Sequence, residues 1–276
     1  MKPPPPSISK YALSETRVCL HHFKTNLRHA AKHPDDPDAI HDLRVSIRRL
    51  TQCFRVFHAP AKKMRKRLHK IMQHCGAVRN CDIALELLAE CGLPESPSVP
   101  KLKKSRERAA QKLHRNLKKE RRRRHRTVDA AAHPFDHGLQ IATRLPALAE
   151  DFFQTGDAAA VPDSNYQSLH RFRLRAKRFR YTLELFEGFY GSDMAAGAKA
   201  LKGVQDRLGA INDCVTTIDL LPDDPIAVAA IQRQLEQRTR LFQNHWRSHF
   251  LPQKRAWWRR WLSQPHASAS ARVKAA

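Results

Sequence analysis

Ten residues, His41-Asp-Leu-Arg-Val-Ser-Ile-Arg-Arg-Leu50, return 129 positions later as His170-Arg-Phe-Arg-Leu-Arg-Ala-Lys-Arg-Phe179. A duplication constrains the fold strongly, because the architecture has to house one helical unit twice. The copies keep His41/His170, Arg44/Arg173, Arg48/Lys177 and Arg49/Arg178 in register, along with the apolar pairs Leu43/Phe172, Val45/Leu174, Ile47/Ala176 and Leu50/Phe179. Farther on, Phe57 matches Phe186. On a helical wheel His41, Arg44, Arg48 and Arg55 fall on about a quarter of the circumference, with Leu43, Ile47, Leu50, Phe54 and Phe57 forming a core face. In the second copy the stripe is His170, Arg173, Lys177, Arg180 and Tyr181, and the core face is Phe172, Ala176, Phe179, Leu183 and Phe186. Val45, Val56, Leu174 and Leu185 lie on the far flank of the cations, which places the stripes between two apolar strips, as in a groove wall. A positive group at roughly every turn of ~5.4 Å suits a string of phosphates better than one compact anion. Arginine dominates, and its planar fork favours bidentate phosphate contacts.

A second echo pairs Gly76-Ala-Val-Arg-Asn-Cys81 with Gly209-Ala-Ile-Asn-Asp-Cys214, four residues out of phase with the first. The spacing predicts helices over about 9–31, from Asp38 as N-cap, from about 61 to Gly76, and over 78–91. In the first of these, Leu13, Val18, Leu20, Phe23 and Leu27 supply the apolar positions. Beyond the loop at 94–100, residues 101–126 read as a long basic helix, followed by helices at 135–155, 165–190, 194–208, 211–221 and 226–250. Gly156–Asp163 is the expected linker between halves of about 7–155 and 163–262, and residues 1–6 and 263–276 read as loose tails. Trp257, Trp258 and Trp261 are expected to cap a bundle end. With no strand-period segment, the fold class is all-α.

These motifs resemble the CHAD domain, the conserved histidine α-helical domain. The resemblance covers about residues 7 to 262. It rests on His-x-x-Arg-x-x-x-(Arg/Lys)-Arg in both halves, on Ala176-Lys-Arg-Phe-Arg-Tyr181, and on the segments Gly76–Asp82 and Gln205–Asp213. Thr51 and Asn212 depart from the family pattern, which has a basic residue and a histidine there. The resemblance implies two pseudo-two-fold related four-helix bundles with a basic central cleft that binds inorganic polyphosphate. Targeting to polyphosphate granules is one role such binding would serve, and a cytoplasmic location is expected from the unpaired cysteines and a start without a signal segment. The binding residues expected are His41, Arg44, Arg48 and Arg49 with His170, Arg173, Lys177, Arg178, Arg180 and Tyr181. Arg55, Arg79 and Lys202 join them through helical geometry or the paired Gly-Ala segments. Histidines beside phosphate gain charge as pH falls, so binding is expected to strengthen through neutrality.

Charge is consistent with a polyanionic ligand: 51 Lys and Arg against 26 Asp and Glu leave +25 before any of the 16 histidines protonates. Such an excess repels itself in the compact state until a polyanion relieves it. Nucleic acid remains an alternative, since a chain this basic binds it non-specifically at low salt. The stripes nevertheless carry one aromatic, Tyr181, where single-strand binders offer several stacking platforms. A granule-surface scaffold is a third reading. Within 101–126 the Arg121–Arg124 run reads either as a solvated face or as a funnel toward the cleft.

No cofactor, metal site or catalytic role is expected. Neither His133/His137 nor Cys19/His21/His22 supplies the four ligands of a closed zinc site. There is no phosphate loop, His-Glu-x-x-His or Gly-x-Ser-x-Gly motif, and Asp42 and Glu184 read as partners that orient arginines. No convincing cluster of carboxylates is expected to face the cleft. The six cysteines lack a Cys-x-x-Cys pair and read as buried reduced thiols. No apolar run reaches the ~18 to 20 residues that span a bilayer, and the start lacks a hydrophobic signal segment.

Overall fold

The computed structural model describes residues 8–57, 62–123, 137–190, 193–250, 255–256 and 258; for 8–10, 62, 137–144, 187–190, 193–196 and 198 it describes the backbone alone. The described residues form eight helices and no strand: α1 (Ile8–Lys32), α2 (Pro37–Phe57), α3 (Lys62–Glu90), α4 (Ser98–Arg121), α5 (His137–Ala159), α6 (Tyr166–Tyr190), α7 (Asp193–Ile218) and α8 (Pro225–His249). The protein is all-α. Each of the last four helices starts within two residues of 129 after its counterpart among the first four. So α5 stands to α6 as α1 stands to α2, and the duplication runs through every helix.

The core faces read from the wheel are the buried ones. Leu43, Ile47, Leu50, Phe54 and Phe57 of α2, and Phe172, Ala176, Phe179, Leu183 and Phe186 of α6, are all at most 3 % exposed. Phe57 packs edge-on against its own repeat-mate Phe186, 5.7 Å between centroids. Nearby, Gln52 Nε2 donates to Thr182 Oγ1 at 2.9 Å and joins α2 to α6. Val18 is exposed, and the neighbouring Cys19 occupies the core position instead.

Two breaks expected in the chain are absent. Gly76 and Gly209 lie inside the unbroken helices α3 and α7. A helical glycine costs about 1 kcal/mol relative to alanine, whereas the apolar stripe continues past each of them. Val78, Cys81, Ala84, Leu87 and Leu88 after Gly76, and Ile211 and Cys214 after Gly209, are buried. That burial outweighs the glycine. The true stop of α3 is Gly92, at φ +74°. Its amide donates to Ala89 O at 3.0 Å and that of Leu93 to Leu88 O at 2.8 Å, the paired bonds of a Schellman motif.

The linker expected at Gly156–Asp163 is also shorter. Gly156 belongs to α5, and a Cβ there would overlap the indole of Trp246. Only residues 160–165 connect α5 to α6. Asp36 replaces Asp38 as the cap of α2, accepting from the Asp38 amide at 2.9 Å. Of the C-terminal tryptophans, Trp258 is buried with its ring 5.9 Å from Phe179, while Trp257, Trp261 and both tails lie outside the described residues.

Two hydrophobic clusters hold the helices, and each draws on helices from both halves of the duplication. The smaller one joins Ala84, Leu87, Leu88 and Leu102 to Cys214, Leu221, Ala227 and Ile231. Asp224 closes it off. Its carboxylate caps α8 by accepting from the Ala227 amide at 3.0 Å, and it also accepts from the hydroxyls of Ser96 in the α3–α4 connection and of Ser98 at the start of α4. The Ser96 hydroxyl above all, with the Ala227 amide next, holds this carboxyl below its usual range. Its stabilisation is therefore fully present above the ordinary carboxylate pKa and is lost progressively as pH falls from there through the lowered folded value. Asp224→Ala removes a cap and strands two buried hydroxyls, at a cost of about 2–4 kcal/mol. Thermal denaturation should show a Tm lower by roughly 4–12 °C; an unchanged Tm would mean this tie between the halves is idle.

Candidate functional site

The basic stripes of α2 and α6 meet in one open recess of about 740 Å³, whose walls also include α3, α7 and α8. From α2 come His41, Arg44, Arg48 and Arg49, and from α6 Arg173, Lys177, Arg180 and Tyr181. Arg79 of α3 and Lys202 of α7 complete the expected residues found there. These side chains converge because the opposite face of each helix is locked in the core, which leaves the i, i+3 and i+4 positions pointing into the space between them.

Three expected residues lie outside the lining. The Tyr166 hydroxyl lies 3.3 Å from Nδ1 of His170 and donates to Oδ1 of Asn212 at 3.3 Å, which places His170 beside a residue that lines a neighbouring groove. Arg55 and Arg178 come together instead with Arg65 of α3. Burial first, then the charges of Arg178 and Arg65, lower the pKa of Arg55. Of the four flanking apolar residues, Val45 lines the recess, Val56 and Leu185 are part of the core, and Leu174 is exposed.

The recess holds its cations in an uncompensated state. Nine Lys and Arg side chains line it against five carboxylates, so the excess is positive. Several cations are already committed: Arg79 pairs with Glu86 at 3.0 Å, Arg180 with Glu184 at 3.4 Å, and Arg238 with Glu90 at 2.8 Å. Among the described residues Arg44 and Arg173 have no ion-pair partner, and the Nε of each is buried without a hydrogen-bond acceptor. Arg180 Nε is in the same condition, while its guanidinium lies 4.9 Å from the Tyr181 ring centroid. Burial is the main cause lowering the pKa of Arg44 and of Arg173. Lys177 responds most. Burial, then Arg173, Arg48 and Arg44, depress its ammonium to about 7.

Lys177 yields a pH prediction. An anion in the recess restores its charge, so binding takes up a proton and affinity falls as pH rises above 7, by at most about tenfold per unit. Without ligand the sign reverses. The unfolded chain holds the extra proton between pH 7 and the ordinary lysine range, so this group adds stability as pH rises through that window. Calorimetry at pH 8 in buffers of different ionisation enthalpy should detect the uptake, and Lys177→Arg should abolish it. The pH dependence expected of the histidines thus has a second source, and only such a variant separates them.

The sequence reading missed four kinds of residue. Arg238 lines the recess from α8, donating to Ala210 O and Glu90, and its repeat equivalent carries no cation. Gln205 is buried and its side chain donates to Ala176 O at 3.0 Å, fixing α7 against α6. Asp213 sits among Arg173, Arg79, Arg238 and Lys177; burial pushes its carboxyl up against their opposing pull. The paired Gly-Ala segments contained a signal for it, since Asp213 occupies the place of Asn80. Finally, Glu86, Glu90 and Asp206 join Glu184 and Asp213 in the walls, as separate carboxylates and, among the described residues, not as a metal-binding cluster. Glu86, Glu90 and Glu184 are engaged with arginines. Asp42 lines a separate small pocket beside α1.

Among the described residues no three of His, Cys, Asp and Glu come together as metal ligands. Cys19 directs its sulfur at Cys53, 3.6 Å away, while His133 and the side chain of His137 lie outside the described residues. No helix in the described residues is long and apolar enough to cross a membrane.

No curated protein matches the chain. The crystal structure of the CHAD domain from the plant Ricinus communis superposes with a TM-score of 0.55 at 22 % identity, covering 94 % of this chain and 92 % of that one. The family model for the CHAD domain matches residues 16–222, a span that contains both basic stripes and both Gly-Ala segments. This chain therefore belongs to the CHAD domain family.

Proposed function

We propose that the protein binds inorganic polyphosphate in the recess between α2 and α6, as a binding protein and not as a catalyst. One observation carries the reading. Arg44 and Arg173, the same position in the two repeats, bring buried and unpartnered guanidinium Nε atoms to a single recess. A buried donor without an acceptor costs about 1–3 kcal/mol, more when charged, so both guanidinium groups are held in the wall at a cost, and where they line the recess phosphate oxygens would meet their outer N–H donors in short charge-assisted bonds. Repetition from two sides favours a chain of phosphates over one compact anion. The contact of Phe57 with its repeat-mate Phe186 supports a pseudo-two-fold arrangement of the halves around this recess. Three of the recess carboxylates, Glu86, Glu90 and Glu184, serve to hold arginines in place while it is empty. Binding of long chains would draw the protein to polyphosphate granules in the cytoplasm.

The test is competition at ~150 mM salt, where exposed charges are screened beyond ~8 Å. Labelled long-chain polyphosphate is displaced by unlabelled polyphosphate, single-stranded DNA or RNA. Polyphosphate should compete far better per phosphate than either nucleic acid. Equal or better competition by RNA or DNA would make the recess a nucleic-acid clamp.

A further inference from the structure

No side chain of α4 lines the recess, yet α4 is the most cationic element of the protein. We infer that its outer face is a second polyanion site, which engages a further stretch of the same inorganic polyphosphate chain; the inference rests on the reading proposed above.

Lys104, Arg108, Lys112, Arg115 and Lys119 are all exposed. Spaced by three or four residues, they form one stripe about 22 Å long at the helical rise of ~1.5 Å per residue. The opposite face is sealed in the core by Leu102, Leu113 and Leu117. Among the described residues none of the five has an ion-pair partner. The helix's paired cations stand elsewhere: Arg106 on Asp82, Lys101 on Asp223, and beyond its end Arg123 on Glu120. α3 adds Lys63, Lys66 and Lys70, also exposed and on one row. The two rows meet at His74, where burial first and then Lys70 and Lys112 lower the imidazole pKa.

Like charges at i, i+4 destabilise a helix, and alternating glutamates would stabilise it. A mere solubility face would use both signs. This stripe gives up local stability for a single-sign field, as a polyanion surface requires. The kind of polyanion follows from what is missing. α4 contains no Phe, Tyr or Trp on which a base could stack, and its leucines face the core, leaving nothing to insert into a membrane. Flexible lysines set point charges between arginine forks along one row, an arrangement for successive phosphates of a backbone and not for one compact group in a pocket.

The experiment uses the full chain and two variants. One is Lys104→Gln/Arg108→Gln/Lys112→Gln/Arg115→Gln/Lys119→Gln, which keeps helix propensity and relieves repulsion; circular dichroism verifies its fold. The other is Arg44→Ala/Arg173→Ala. Affinities for long-chain polyphosphate, tripolyphosphate and single-stranded RNA are measured at ~50 mM salt. The glutamine variant should bind long chains about tenfold more weakly and lose part of the salt dependence, with tripolyphosphate within about twofold of wild type, because only a long chain reaches both sites. Unchanged long-chain affinity overturns the inference, as does an equal loss for tripolyphosphate, which would indicate a general field. A loss confined to RNA overturns it too, assigning the stripe to nucleic acid. If instead Arg44→Ala/Arg173→Ala binds tripolyphosphate as wild type does, the recess reading fails, and the glutamine result still decides the α4 site.

Discussion

Arg44→Ala/Arg173→Ala should weaken long-chain polyphosphate by at least ~100-fold at ~150 mM salt, whereas Arg122→Ala/Arg123→Ala should change it by less than about threefold. Hydrogen bonds to charged groups contribute about 1.5–3 kcal/mol each, and every ~1.4 kcal/mol is tenfold in affinity. The two recess arginines have buried, unpartnered Nε atoms. Arg122, by contrast, is exposed and Arg123 is engaged with Glu120, where screening leaves little to lose. Replacing the charges without losing the stems should leave the empty protein no less stable. In Arg44→Met/Arg173→Met, which keeps the bulk of the stems, two uncompensated charges disappear, and Tm should hold or rise. Loss of binding together with unchanged or higher Tm marks residues held for a ligand. Equal binding losses in the two double variants would point to a diffuse electrostatic surface instead of a defined recess.

Gly156→Val should be the most damaging single change to folding, lowering stability by about 3 kcal/mol or more. The Cβ alone would overlap the six-membered ring of Trp246. That indole cannot retreat. It stacks on Phe250 at 4.5 Å, meets Phe152 and Phe172 edge-on at 5.3 and 5.0 Å, and donates through Nε1 to Asp157 at 3.0 Å. Arg255 covers the outside, paired with the same Asp157. Trp246→Leu creates a cavity and destabilises on its own. In the double variant the smaller side chain accommodates the valine, so the two losses should sum to more than the measured double loss in a thermodynamic cycle. Additive losses would show that the close approach of α5 and α8 is not what glycine provides.

The contrast between Gly156 and Gly76 shows where the sequence was legible. Both were read as chain breaks on propensity, and both lie within helices. A glycine carries one meaning as a local stop and another as room for a neighbour, and the neighbour of Gly156, Trp246, is ninety residues away. Helix stops were likewise misplaced because Gly76 precedes a buried stripe that only tertiary packing rewards. Gly92, a residue with the positive φ of a real stop, differs from it by the Schellman bonds it closes.

Sequence alone determined what local periodicity and repetition can carry. The core faces of α2 and α6, the inward cations of the stripes and the all-α class follow from spacings of three, four and 129 residues, since a helix converts spacing directly into direction; the family was legible through the likeness of the motifs. Tertiary structure decided which cations share a recess. Arg55 and Arg178 stand on the same helices as Arg44 and Arg173, yet the crossing of α2 and α6 sends them to Arg65, while Arg238 and Asp213 enter from α8 and α7. It also decided the state of Lys177, whose charge depends on Arg173, Arg48 and Arg44 gathered around it in a half-buried place. Proximity across helices and the removal of water have no periodicity, so no one-dimensional pattern records them.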